Sequence, residues 1–227
     1  IYSVSGLVDK EHPLITRRPF RSVHHTATRA ALIGGGVIPS PGEISLSHGG
    51  VLFLDELAEF RKSVLEVLRQ PLEEHKIRLC RNSGCYEFPA DFMLIAAMNP
   101  CPCGNYPDLN KCNCTKAQIQ NYLGHVSQPL LDRMDLCVEA SRIEYKDLCA
   151  SGNEETSTDI RERVCKARNI QQERYKGTKI YTNSGIEVSQ LEEYCRIGEK
   201  EEKLMKQAFS TLGLTARTYH KVLKVAR

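Results

Sequence analysis

The sequence predicts an α/β fold, a three-layer arrangement with helices on a parallel sheet, followed by a separate all-helical domain. Three observations carry this. Two short continuous apolar runs, Val51-Leu52-Phe53-Leu54 and Phe92 to Met98, have the character of strands buried on both faces of a parallel sheet. Between them Leu57, Phe60, Val64, Leu68 and Leu72 recur at helical spacing, which supplies a helix between strands. After Leu148 the strand-like runs stop, and amphipathic helical segments with glycines near their ends take over.

Taken in order, residues 1–22 are mixed and polar with no steady period, reading as the tail of an earlier element. Val23 to Ser47 is rich in turn formers, with Gly34-Gly35-Gly36 and Pro39-Ser40-Pro41-Gly42, so a loop or hairpin excursion is expected there. Gly49-Gly50 leads into the first apolar run, which Asp55 and Glu56 close. The helix follows to about Pro71, where the ring cannot donate a backbone hydrogen bond. Alternation on either side of Asn82-Ser83-Gly84 predicts a β-hairpin over about 76–88. The second buried strand ends at Asn99-Pro100, a cysteine-rich loop runs from Cys101 to Cys114, and a helix is expected from about Lys116 to Leu123. Leu136 to Ala140 reads as a weaker third strand. Ser151 to Glu155 reads as a linker, and helices are expected at roughly 157–176, 186–197, 200–211 and 215–227. The domain division is therefore 1–148 for the α/β core and 149–227 for the helical part.

Composition narrows the function classes only modestly. With 227 residues, 41% hydrophobic and 26% charged, the chain is an ordinary globular sequence and neither disordered nor collagenous. A net charge of +3 is too near neutral to imply nucleic-acid or membrane binding by itself. No run approaches the length of a transmembrane helix and no leader opens the chain, so a cytoplasmic protein is expected. The start at Ile1 and the stop within the last expected helix mark it as a piece of a longer protein.

The sharpest chemical signal is the strand ending in Asp55-Glu56. Strands of an open α/β sheet deliver their last residues to the crevice where ligands bind. An acidic residue there can hold Mg²⁺ for a nucleotide, and a second carboxylate can deprotonate the attacking water. The same pair would also suit the start of a helix, where acidic side chains complement the macrodipole. Ten cysteines without an export signal favour metal or plain thiols over a disulfide framework. Four of them form Cys101-x-Cys103-x₈-Cys112-x-Cys114, which can close one structural tetrahedral Zn²⁺ site or remain free or oxidised thiols. The other six read as scattered small fillers, and His24 and His25 as packing or loop hydrogen-bond residues.

The stretch from Val23 to Leu57, opening VHHTA and closing VLFLDEL, and the segment FMLIAAMNPCPCG at 92–104 resemble the magnesium-chelatase-like AAA+ ATPases of the ComM/YifB type, and the likeness runs from about Pro19 to Arg227. The resemblance implies a partial AAA+ core with hairpin inserts and a helical lid. It implies Asp55 as the Mg²⁺ ligand, Glu56 as the activator of water, and Asn99 as the sensor residue that positions that water. Arg133 matches an arginine finger reaching a neighbouring subunit, which implies a self-assembled ring, a hexamer. Arg217 matches a lid arginine that contacts nucleotide. Without the family, Arg133 could instead pair with Asp132 or Asp135, and Arg217 would be a solvated helix charge. The hairpins at about 33–47 and 76–88 match family inserts, where Lys76, Arg78 and Arg81 would touch nucleic-acid phosphates or else form a solvated face.

A P-loop requires Gly-Lys-[Ser/Thr], and the sequence contains no Gly-Lys dipeptide. The resemblance places that loop, and a Lon-protease-like domain, upstream of Ile1, so this segment alone is expected to bind ATP poorly and not to hydrolyse it. The implied function of the intact protein is a DNA branch-migration motor. The rivals are a chelatase motor driving Mg²⁺ into a porphyrin, and a non-enzymatic module whose zinc loop and basic lid bind DNA or a partner.

Overall fold

The computed structural model describes residues 1–9, 11, 14–81, 84–140 and 155–227. They form two compact units, Ile1–Met134 and Asp135–Arg227. The division expected at 148/149 and most of the expected linker, 151–154, lie outside the described residues.

The first unit is built on a parallel three-stranded sheet in the order β1 (Phe20–Val23), β4 (Val51–Leu54), β7 (Met93–Ala96), with β4 central. Phe20 pairs with Val51 and Val23 with Leu54 on one side; Val51 pairs with Met93 and Leu54 with Ala96 on the other. Between β1 and β4 come α1 (Arg29–Ile33), the two-residue strands β2 (Gly34–Gly35) and β3 (Ser40–Pro41), and α2 (Glu43–Leu46). The antiparallel pairing of β2 with β3 is the hairpin expected from the turn formers. Gly50 is required where the chain enters β4, because a side chain there would run into the Pro19 carbonyl.

Two expectations about strands are corrected. Leu136 to Ala140 is irregular, with Val138 88% exposed, and among the described residues it pairs with no strand. The third strand is instead β1, within the segment that reads as a polar tail, because Arg21 breaks the apolar pattern and is itself satisfied by a bidentate pair with Glu43 at 2.6 and 2.7 Å. The expected burial of β4 on both faces is also corrected. Leu52 and Leu54 are fully buried, whereas the other face, with Phe20, Phe53, Met93 and Ile95, is half-buried or exposed.

The segment 57–74 covers the buried face with its helical apolar positions, but not as one helix. A 3₁₀ turn (Leu57–Glu59) is followed by extended backbone at Phe60 and Arg61, then α3 (Lys62–Leu65), a second 3₁₀ turn (Glu66–Leu68) and α4 (Arg69–Glu74). Leu57, Phe60, Val64, Leu65 and Leu68 pack with Leu32, Ile44, Leu52, Leu54 and Leu130 in one cluster. The predicted hairpin is present as β5 (Lys76–Arg81) and β6 (Gly84–Pro89), paired in register. Then come α5 (Lys116–Leu123), opened by a Thr115/Gln118 capping box, and α6 (Gln128–Leu131).

The second unit is helical in its described residues. It contains α7 (Ser157–Arg174), two 3₁₀ turns (Asn183–Gly185 and Val188–Gln190), α8 (Leu191–Tyr194), α9 (Glu199–Leu212) and α10 (Ala216–Ala226). The helix expected over 186–197 is thus a 3₁₀ turn and a single helical turn. Its core is small, comprising Tyr175, Ile180, Ile186, Leu191, Cys195 and Leu223. Gly213 closes α9 in the left-handed conformation, at φ 60°. Among the described residues no helix is long and apolar enough to cross a membrane.

Candidate functional site

Because β1, β4 and β7 run parallel, the residues that follow them emerge at one edge of the sheet: His24-His25 after β1, Asp55-Glu56 after β4, and Ala97 to Asn99 after β7. The strand ladder continues briefly past the strands. Ala97 N–H donates to the Leu54 carbonyl at 3.0 Å, and Leu57 N–H donates to the Ala97 carbonyl at 2.9 Å. These two bonds fix Asp55 and Glu56 beside the chain that leads to Asn99.

Asp55 is exposed, and its Oδ1 accepts the Glu56 backbone N–H at 2.9 Å. Glu56 has left-handed backbone, φ 52° and ψ 48°, which is uncommon for a residue with a side chain. Its Oε2 lies 2.8 Å from His25 Nδ1. The His25 ring is fixed on two sides, at 4.1 Å from the His24 ring centroid and edge-on to the buried Phe60 at 6.4 Å. His25 is the site residue that the sequence left unassigned. Its nearness to Glu56 follows from the parallel pairing of β1 with β4, which no local pattern reveals.

Asn99 is exposed beyond β7, and a side chain on Gly104 would come within 3.9 Å of its carboxamide. The Asn99 backbone also meets the buried Tyr122 of α5. Burial, then the negative charges of Glu59, Glu56 and Cys101, push the Tyr122 phenol above its ordinary value.

The four sulfurs of Cys101, Cys103, Cys112 and Cys114 lie within 4.8 Å of one another, with Cys101 fully buried. Cys101–Cys103, Cys103–Cys112 and Cys101–Cys112 are separated by 3.4, 3.7 and 3.8 Å. Their protonation is split by the cluster itself. The Asn105 amide and the neighbouring thiols hold Cys103 down to about 6, while burial and the Cys103 and Cys101 sulfurs push Cys114 up to about 12.

The remaining expected residues are placed differently from one another. Arg133 is only 10% exposed. Its Nη2 pairs with Glu73 Oε1 at 2.6 Å and its Nη1 donates to the Pro129 carbonyl, while its Nε is buried without a hydrogen bond among the described residues. Its partner is therefore Glu73 and neither Asp132 nor Asp135. Arg217 is exposed in the first turn of α10, in the second unit. Arg78, directly across the hairpin from Glu87, and Lys76, diagonal to it, reach that carboxylate at 3.0 and 3.2 Å, so one carboxylate offsets part of their charge; Arg81 is exposed at the end of β5. The same register sets Cys80 opposite Cys85, and the two are disulfide-bonded, which corrects their reading as fillers. The equal spacing of Cys80 and Cys85 from the paired Arg81 and Gly84 is the signal that the sequence already held.

The magnesium chelatase, subunit ChlI family matches residues 1–148, and the magnesium chelatase, subunit ChlI C-terminal family matches residues 154–227. Competence protein ComM of Haemophilus influenzae is 44% identical over 99% of this chain and 44% of its own length. Protein YifB of Escherichia coli is 40% identical over 93% of this chain and 41% of its own. The chain thus spans less than half the length of these curated relatives. Among solved structures, NtrX from Brucella abortus in complex with ATP overlaps 51% of this chain and 24% of its own at 20% identity and a TM-score of 0.35, too partial a likeness to argue from.

Proposed function

The chain belongs to the magnesium chelatase subunit ChlI family, and from that premise we propose that it is part of an AAA+ ATPase motor whose hydrolytic edge is the one formed by β1, β4 and β7. The observation that supports this most is the delivery of Asp55, Glu56 and Asn99 to one sheet edge by two hydrogen-bonded parallel strands. Asp55, an exposed hard oxygen donor at a strand end, fits Mg²⁺. When bound with ATP, Mg²⁺ neutralises charge on the phosphates. Glu56 takes the proton of the attacking water, and Asn99 donates a hydrogen bond that aligns it. His25 is the positioning residue: its Nδ1–H holds one Glu56 oxygen and so limits where the carboxylate points.

The 227 residues contain no Gly-Lys dipeptide for a phosphate-gripping loop, so by this reading they alone would not turn over ATP. The intact motor works as a cytoplasmic hexameric ring. Arg217 contacts nucleotide in that ring. Arg133 acts as a finger across a subunit boundary once it leaves Glu73. The work is movement of DNA strands. That reading is favoured over metal insertion into a porphyrin by the 44% identity to a competence protein. Lys76, Arg78 and Arg81 are the proposed phosphate contacts, with Glu87 moderating the first two. A Zn²⁺ on the four cysteines would be structural, because four thiolates leave no coordination position for a substrate.

The test is ATP turnover by the full-length protein, with and without branched DNA, beside Glu56→Gln. The amide keeps the size of the carboxylate but cannot take a proton, so a loss of about 10²-fold or more in kcat is expected, with nucleotide binding retained. Turnover within about threefold of the parent would remove Glu56 from its role. A full-length protein that binds DNA yet never hydrolyses ATP would instead support the non-enzymatic module.

A further inference from the structure

The loop from Cys101 to Cys114 has a geometry that neither thiol packing nor disulfide chemistry requires. We propose that Cys101, Cys103, Cys112 and Cys114 bind one Zn²⁺ as four thiolates, and that this metal braces the backbone carrying Asn99.

The distances make the first part of the case. Four sulfurs bound at about 2.3 Å to one zinc sit on the edges of a tetrahedron about 3.8 Å long. The separations of 3.4, 3.7 and 3.8 Å in the structure fall near that edge, and all four sulfurs lie within 4.8 Å of one another. A disulfide would draw two sulfurs to about 2.05 Å and leave the others apart, and none of the four is so paired. The backbone also faces the sulfurs. Tyr106 N–H points at Cys101 Sγ at 3.4 Å, and the Asn105 and Asn113 amides face Cys103. Amide donors around thiolates are what a metal–sulfur centre uses to orient its ligands. An all-sulfur, closed set selects a soft or borderline ion such as zinc over Mg²⁺ or Ca²⁺.

The second part rests on where the loop is tied. The cysteine loop begins two residues after Asn99, itself three residues past the end of β7, and ends at Thr115, the cap of α5. From that helix the buried Tyr122 reaches back to the Asn99 backbone, and within the loop Gly104 lies against the Asn99 carboxamide. The described loop from Cys101 to Cys114 has no helix or strand of its own, and only Cys101 in it is fully buried. A metal crosslink joining both its ends therefore supplies order that an apolar core does not. The role of Asn99 belongs to the hydrolytic reading, whereas the metal site does not depend on it.

The experiment uses the full-length protein purified without chelator. Elemental analysis is expected to give about one zinc per chain, released by an organomercurial as four thiols react. Less than about half an equivalent, or iron in place of zinc, would overturn the assignment. Hydrogen exchange before and after zinc removal tests the brace. Amides from Ala97 to Tyr106 are expected to exchange at least about tenfold faster, with those of Leu52 to Leu54 unchanged. No local change would overturn it. A Cys112→Ser/Cys114→Ser variant is expected to carry no zinc, and one that retained a full equivalent would count against these ligands. If that variant does not fold, the measurements on the unaltered protein still decide. None of these readings involves ATP, so they stand or fall separately from the hydrolytic proposal.

Discussion

Arg133 offers a prediction that separates an internal anchor from a residue waiting for a neighbouring subunit. Its guanidinium is 10% exposed, pairs with Glu73 at 2.6 Å and donates to the Pro129 carbonyl, while Glu73 is 43% exposed. Exposed ion pairs contribute about 0.2–1 kcal/mol, and removing one partner of a buried pair costs about 3–5 kcal/mol. One buried and one half-exposed partner fall between these limits. Arg133→Ala also removes the carbonyl bond and the packing of the arginine stem. A loss of about 2–3 kcal/mol is therefore expected. Glu73→Ala leaves the guanidinium its carbonyl partner, so about 1–2 kcal/mol is expected. The double variant should fall short of the sum by about 1 kcal/mol, the mark of a direct contact. Urea unfolding followed by far-UV circular dichroism is the assay, since the sequence has no tryptophan for fluorescence. If Arg133→Ala stays within about 0.5 kcal/mol of the parent, as surface substitutions do, the anchoring argument is refuted. A stable Arg133→Ala protein whose full-length form loses turnover would then be the outcome of a finger alone.

Two further outcomes follow from the geometry. His25→Ala in the full-length protein should lower kcat by about tenfold with KM nearly unchanged, and His25→Asn, whose amide can still donate to Glu56, should recover part of that loss; equal defects in both variants would mean that the ring only packs against Phe60. The Ser127 hydroxyl, and after it Arg69, hold the Glu66 carboxyl below its ordinary value of 4.5. A depressed carboxylate stabilises the fold above its unfolded value, and that contribution is lost as pH falls through the folded one. Ser127→Ala should therefore destabilise most near neutral pH, with the difference shrinking below pH 4.5; a difference that stays constant down to about pH 3 would exclude the linkage.

What was legible in the sequence is what short-range pattern can carry. Leu57, Phe60, Val64 and Leu68 announce a buried face by spacing alone, and all four are buried even though the backbone changes between 3₁₀, extended and helical forms along the way. The apolar period reports which side chains face the core; it does not report the winding that brings them there. Strand identity was less secure. Leu136 to Ala140 is apolar enough for a strand, but a strand needs a partner edge, and partner edges are not written locally. Phe20 to Val23 is less apolar and yet pairs with β4 along its whole length. The site divides the same way. Asp55, Glu56 and the four cysteines were visible because each set is contiguous or nearly so. His25 beside Glu56 and Glu73 beside Arg133 were not, because each contact is made by parts of the chain far apart in sequence.

The position of Glu56 shows how the fold serves the site. Left-handed backbone at a residue with a side chain costs about 1–2 kcal/mol, a cost glycine would avoid. Such a cost persists only where surrounding contacts fix the conformation. Here the Glu56 amide donates to Asp55, the next amide donates to the Ala97 carbonyl, and the carboxylate meets His25. Those three partners, Asp55, Ala97 and His25, are residues just past the ends of β4, β7 and β1. The strained residue is thus held by the segments that leave all three strands at one edge of the sheet, and it is the residue to which the hydrolytic proposal assigns the proton. A flexible carboxylate on a relaxed turn would need none of this support, so the expenditure of contacts on Glu56 argues that its placement, and not merely its charge, is what the sheet edge supplies.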